Sequence, residues 1–381
     1  MKRRFKFKIN GDSPRSIFIA LVLAKLNCDV FIYDFLKNSN SKTDYQIFLF
    51  SKTAKYLLSK FDIWKEIEKI SYGFTSLSIK DNLFSEEILL KTRNFSKNCL
   101  DTIGWTARYS DIKNLLINKL INSDNVYFIS KNQLLNESLI FDFEFDFKNY
   151  DKISNSFKLP FSRFKQKNKE ILIFNVYLRG HVEKRFYEIN TNEGLIVLTP
   201  LNKNYYQIIW KNPSFRIRQS SLRSKSFFLD NLTSLLPDEL KIDQINGDIN
   251  SLHVRHIYST YLIKNKSIYF NENMFKSNPI YDFNFDVIIK NILLIYNFLE
   301  NNEHRRINIL YKSPFFYLLR KYIEIKLNLS FSNSLFNLFT ENNIFLLLLR
   351  KSLFTLIKRI SLVRNLFMKG FYNSSINNLI K

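Results

Sequence analysis

Only 7 of the 381 residues are glycine, where ordinary usage of about 7% would supply roughly 27. The chain is rich in Phe, Tyr, Lys, Asn and Ile, a bias that AT-rich coding favours. Mutational bias does not remove a glycine that the backbone needs, so the shortage speaks against a rich set of phosphate-cradling turns. Cysteine is scarcer still: Cys28 and Cys99 make neither a disulfide framework nor a metal-ligand cluster, and four scattered histidines suggest no zinc site. A reducing cytoplasm is the default expectation. Long apolar runs are also missing. The wholly apolar stretches, 17–24 and 344–349, are far too short to span a bilayer. The start is basic, but its apolar stretch comes late and runs into a strand-and-helix pattern, so no cleavable signal peptide is expected.

Apolar residues make up 46%, enough for a sizeable core in one large unit or two intimately connected domains. Lys and Arg total 57 against 34 Asp and Glu, a formal charge of +23. Either a lysine-rich solvated surface or contact with a polyanion accounts for that excess. No nucleic-acid-binding module is recognisable, so nucleic acid is not an expected partner and an acidic membrane surface is the sharper candidate.

Residues 5–9 alternate apolar and basic, as a strand does. Asn10, Gly11 and Asp12 form a turn, Pro14 suits the first turn of a helix, and an apolar helix leads to a second strand at 29–34. Helical stretches follow at 51–70 and 110–122, the latter feeding a strand. From about 141 to 210 the pattern is strands, then comes a helix at about 227–236, further strands, and helix after Pro279. In a dinucleotide fold, glycines let the backbone turn tightly toward a pyrophosphate at a helix N-terminus. Here Gly11 stands at the first glycine position, Ser13 and Ser16 at the next two, and Asp34 where a ribose-binding acid belongs. Taken alone, one glycine of three also fits an ordinary turn capped by Asp12 or Ser13.

Several longer segments, in order, point further. YQIFLFSKTAKYLLSKFDIWKEI (45–67) and IGWTARYSDIKNLLINKLINSDNVYFI (103–129) are two of them. GLIVLTPLNKNYYQIIW (194–210), SLHVRHIYSTYLIKNKSIYF (251–270) and the tail 331–370 continue the series. Together they resemble the FAD-dependent aromatic-ring hydroxylases of ubiquinone biosynthesis over nearly the whole chain, with no single motif intact. In the family's second FAD motif, read here as NENMFKSNPIYDFNFDVIIKN (271–291), Glu272 stands at the ribityl-binding Asp. Pro279 stands at the motif's Pro, and Asp282 and Asn284 stand at its two glycines. Gln46 replaces a basic residue, and Ser110 stands where an Arg would reach the cofactor. Asp142 or Asp146 is what remains of a mid-chain Asp-Gly motif.

The resemblance implies an α/β fold: a Rossmann-like FAD-binding domain, an inserted antiparallel-sheet substrate domain and C-terminal helices. The expected division is 1–135 with 250–310 for the FAD domain, 136–249 for the substrate domain and 311–381 for the helices. It implies FAD as cofactor, NAD(P)H as reductant, a polyprenyl phenol as substrate and ubiquinone-biosynthesis proteins as partners. No catalytic His, Ser or Cys is required, because the flavin carries the chemistry; His253 and His256 therefore read as structural. The departures leave two readings open. Carboxylates at the second motif oppose negative charge on a reduced flavin, so either FAD binds in an altered pose or the fold persists as a scaffold without chemistry. From residue 311 onward there are 11 Lys and Arg against 2 Glu. Residues 352–369 read as an amphipathic helix with a basic edge, expected either to pack on the core or to meet an anionic inner-membrane surface.

Overall fold

Apolar residues and lysines alternate through Lys6–Asn10 (β1), and the period of two places Phe7 and Ile9 inside while Lys6 and Lys8 stay half-exposed. A computed structural model describes residues 4–11, 14–33, 47–91, 102–129, 140–146, 164–165, 169–180, 183–211, 213–254, 257–258, 262–264, 267–269 and 344–364. In it β1 lies between two parallel neighbours, β2 (Asp29–Tyr33) and β9 (Phe143–Asp146). β8 (Val126–Ile129) continues the sheet beyond β2. On the other side it continues through β18 (Ser267–Tyr269) to β17 (Leu262–Lys264), the last pair antiparallel.

Helix α1 (Pro14–Lys25) is buried all along from Ser16 to Ala24. A helix that is apolar all round must be covered on more than one side. Here it shares one core with the parallel sheet and with α4 (Tyr109–Ile121), whose Ile112, Leu116 and Leu120 recur every fourth residue along one stripe. α1 ends where Asn27 takes a left-handed conformation and the Cys28 N–H donates back to the Leu23 carbonyl, 3.1 Å away. Asn125, just before β8, donates to the Ala24 and Cys28 carbonyls at 2.8 Å each. The ends of both helices and the starts of β2 and β8 are thereby tied together at one pole of the sheet.

A small antiparallel layer, β3 (Ile47–Ser51), β7 (Gly104–Arg108) and β4 (Tyr72–Phe74), flanks this core. The helix expected over 51–70 is two helices, α2 (Lys52–Lys60) and α3 (Trp64–Ile70), broken at Asp62, which has φ +53°. Ser51 caps α2 by accepting from the Ala54 N–H at 3.0 Å.

The larger sheet has seven strands. Their order is β15 (Ile242–Val254), β11 (Lys169–Leu178), β14 (Tyr205–Lys211), β13 (Gly194–Pro200), β12 (Arg185–Thr191), β5 (Ser76–Asp81) and β6 (Glu86–Lys91). All pairs are antiparallel except β5 with β12. One face, including Phe174, Ile196, Tyr206 and Trp210, packs on α5 (Phe215–Arg223) and α6 (Lys225–Leu235) through Ile217, Phe228 and Leu232. A two-residue ladder, β10 (Phe164–Lys165) with β16 (Ile257–Tyr258), completes the described strands.

The opposite face of the large sheet meets α7 (Ile344–Arg359). Phe354 and Ile357 pack with Leu77, Ile88, Leu90 and Phe186. Arg350 donates to Asp81 at 2.9 Å with both side chains fully buried. Asn190 and the Leu83 N–H donate to the same carboxylate at 3.1 and 2.9 Å. Lys358 pairs with Glu86 at the rim. Docking on the core is therefore one part of what the amphipathic pattern encodes.

Strand pairing redraws the expected domain limits in two places. β5 and β6, within the stretch assigned to the FAD domain, belong to the large sheet, and β9, assigned to the substrate domain, belongs to the parallel sheet. Sheet membership is a property of pairing between distant segments, which a linear division cannot see. No helix among the described residues is long and apolar enough to cross a membrane.

Candidate cofactor and substrate site

The strand order places β2 on one side of β1 and the later β9 on the other, so the connections leave β1 in opposite directions. In open parallel sheets a ligand crevice forms beyond the carboxyl ends of the strands at such a switch point. Gly11 sits there. It is buried, with φ +137°, a conformation that a side chain would strain. The chain then enters α1 at Pro14, whose missing N–H leaves nothing to satisfy at a first helical position. The first-turn N–H groups of α1 and its positive end face this pole. Ser16 is wholly buried in that first turn.

A second helix opens at the same pole. α4 feeds β8, which runs parallel to β1 and β2, so α4 must run against the strands and begin where they end. Its N-cap position is Arg108, at the close of β7. Ser110, expected in place of a cofactor-reaching Arg, lies in the first turn of α4 and donates to Asp111 at 3.3 Å. Arg108 is an exposed cation at this pole. It stands two residues before Ser110, at the junction of a strand with a helix start.

Asp142 and Asp146 lie at opposite poles although only one strand separates them. Asp142 accepts from the Lys6 N–H at 2.9 Å and returns its own N–H to the Lys6 carbonyl, closing the start of β9 against β1. Asp146 pairs in register with Asn10 and Tyr269, at the ends of β1 and β18. Of the two, Asp146 is the one at the cofactor pole.

Arg108 connects that pole to the large sheet. Its guanidinium lies 5.3 Å from the ring centroid of Tyr205, and Thr106, two residues earlier in β7, donates to the Pro200 carbonyl. Tyr205 shares a face of β14 with Gln207, because alternate residues of a strand share a face. Across that face the register sets Asn246, Asn175, Gln207 and Thr199 side by side on four consecutive strands. Gln207 and Thr199 are buried, and Gln207 donates to Asn175 at 3.3 Å. The next row, Ile173, Ile209 and Val197, is apolar. Asn175 is half-buried and Asn246 exposed, so the row runs from solvent into the sheet; bounded by apolar side chains, it can orient a polar group of a mostly apolar ligand.

Burial pushes Tyr187 up to about 12 and also raises Tyr206, so neither phenol ionises near neutrality. Both belong to the helix-covered face of the large sheet. Cys28 is pushed up to about 12 by burial, with Asp29 and Asp142 adding to the rise, and it sits at the pole away from Gly11. Among the described residues no His, Cys, Asp and Glu cluster could hold a metal ion. Ser13, Asp34, Gln46, Glu272, Pro279, Asp282, Asn284 and His256 lie outside the described residues, and His253 falls within β15.

No family model matches the chain, and no curated protein matches it in sequence. Solved structures do match its shape. The p-nitrophenol 4-monooxygenase of Pseudomonas putida superposes with a TM-score of 0.70 at 14% identity, covering 97% of this chain and 98% of its own. A flavin-dependent brominase gives 0.67 at 8% identity, covering 98% and 94%. A probable FAD-dependent monooxygenase of Pseudomonas aeruginosa gives 0.61 at 10%, covering 98% and 100%. The chain therefore has the fold of the FAD-dependent monooxygenases.

Proposed function

We propose that the chain binds FAD at the Gly11 pole and hydroxylates a polyprenyl phenol held against the large sheet, as one component of ubiquinone biosynthesis. The observation that carries this reading is the contact of Arg108 with Tyr205. It links the start of α4, at the same pole as the Gly11 turn, to the sheet face that carries the polar row.

The residues at the pole fit the pyrophosphate half of the cofactor. Gly11 leaves room for close backbone approach, and the starts of α1 and α4 offset anionic charge. Asp34 is the candidate for the ribose and Glu272 for the ribityl chain; Ser13, Ser16 and Pro279 complete the assigned set. Bound FAD would supply the oxygen-activating chemistry, with NAD(P)H as its reductant. Arg108 steadies the junction, Gln207 and its neighbours in the row orient the phenol hydroxyl, and Ile173, Ile209 and Val197 keep water from the ring.

One sequence feature favours a second reading, a scaffold without chemistry. By the resemblance, Asp282 and Asn284 take the places of two glycines, with Asp286 close by in sequence, which would put bulk and two carboxylates beside the flavin ring. The visible spectrum of the purified protein, with an FAD titration followed by thermal unfolding, separates the two. Ligand at a hundredfold excess over its Kd stabilises the native state by about 2.7 kcal/mol, a shift of several degrees. A yellow preparation, or that shift, supports the flavoprotein. A colourless protein that unfolds cooperatively and ignores FAD supports the scaffold.

A further inference from the structure

The buried Asp81–Arg350 pair does more than attach α7 to the sheet. It fixes the rotation of the helix about its axis, because Arg350, Phe354 and Ile357 must point inward together. The side facing away is then determined, and apart from Ser352 and Arg359 it is mostly apolar. Ile344 is 77% exposed and Leu348 60%, with Leu349 and Leu356 also exposed. Beyond the break at Ile360, itself exposed, Leu362 in the final helical turn is 65% exposed. Isolated exposed leucines are ordinary, but five large apolar side chains exposed on α7, Phe345 at 69% among them, with Ile360 and Leu362 beyond its end, are an interaction face.

Charge decides what the face meets. Residues 344–364 contain no Asp or Glu and five Lys or Arg. Arg350 and Lys358 are engaged with Asp81 and Glu86. Lys351, 5.9 Å from the Phe84 ring centroid, and Arg359 are exposed beside the apolar residues, and the chain carries +23 in all. Apolar residues ringed by cations with no anion suit a surface that is apolar within and anionic at its rim. We infer that the outer face of α7 seats the protein on an anionic lipid bilayer, with Ile344, Leu348 and Leu356 entering the headgroup–acyl boundary. The inference goes beyond the flavin reading and stands without it. If both hold, the site receives its substrate from the bilayer.

The test is co-sedimentation of the full-length protein with phosphatidylglycerol-containing and pure phosphatidylcholine vesicles, at low and high salt. The expected result is binding to the anionic vesicles, weakened by salt. Lys351→Gln and Arg359→Gln should each lower the partition coefficient about fivefold. Leu348→Asp/Leu356→Asp should abolish binding while the melting transition stays in place. Equal binding to both lipids, no binding, or a variant that loses self-association instead of lipid binding would overturn the proposal. Should the double variant unfold, Leu348→Trp gives an independent reading, since the native Trp64, Trp105 and Trp210 are all buried. A blue shift with vesicles and quenching by brominated lipid supports insertion; unchanged emission overturns it. Neither readout uses flavin or turnover, so a colourless protein that still binds vesicles would sink only the flavin reading.

Discussion

Replacing Arg350 with Met tests how α7 is held. Arg350→Met removes the sole cation on Asp81 among the described contacts and leaves a fully buried carboxylate with only neutral donors, the Leu83 and Phe84 N–H groups and Asn190. Breaking one side of a buried pair costs about 3–5 kcal/mol. Methionine recovers part of this by packing near Phe354, so a net loss of about 3 kcal/mol is expected. Asp81→Asn/Arg350→Met removes the orphaned charge, keeps an acceptor for Leu83 and should recover at least half of the loss. Hydrogen exchange reads the local event, since protection of the α7 amides should collapse before that of β11 or β14. Urea unfolding followed by tryptophan fluorescence reads the global one. The pH dependence supplies a sign. Burial already raises the Asp81 carboxyl, against the lowering by Arg350, so the variant raises it further. The folded variant then binds a proton that the unfolded chain does not, and its deficit shrinks as pH falls from neutrality toward the ordinary carboxylate value of about 3.9. A deficit below about 1 kcal/mol, or one that widens on acidification, would refute the argument.

Gly11→Val forces a β-branched residue into a left-handed backbone, with an expected cost of about 1–3 kcal/mol and loss of the FAD-induced thermal shift; undiminished FAD binding would move the cofactor away from this pole. Gln207→Leu should leave the melting temperature within a few degrees yet weaken binding of a phenol at least tenfold by equilibrium titration, because it removes the central member of the polar row. Cys28, pushed up to about 12, should react with a thiol reagent at pH 8 about a thousandfold more slowly in the native state than after denaturation. That comparison requires Cys99→Ser to leave a single thiol.

Local periodicity in the sequence was enough to reveal β1, α1, β2, α4 and β8, because periods of 2 and 3.6 residues are written in neighbouring side chains. It also gave Gly11 its place, since a lone glycine between a strand and a proline-started helix is a local feature. The strands at 72–91 escaped notice. β6 pairs with its neighbour β5, but β4 joins β7 and β5 joins β12, so this hairpin and strand enter their sheets only through partners in the 100s and 180s. Tertiary structure alone told Asp142 from Asp146, identical residues just before and at the end of one short strand whose ends face opposite poles. It also set Arg108 over the Tyr205 ring, and it assembled Asn246, Asn175, Gln207 and Thr199 from four separate strands into one row. The amphipathic pattern of the C-terminal helix was plain in the sequence, but which of its faces is buried was not. That was decided by one ion pair, Asp81 with Arg350, formed between residues far apart in the chain, because a buried charge tolerates only the geometry that brings its partner to it.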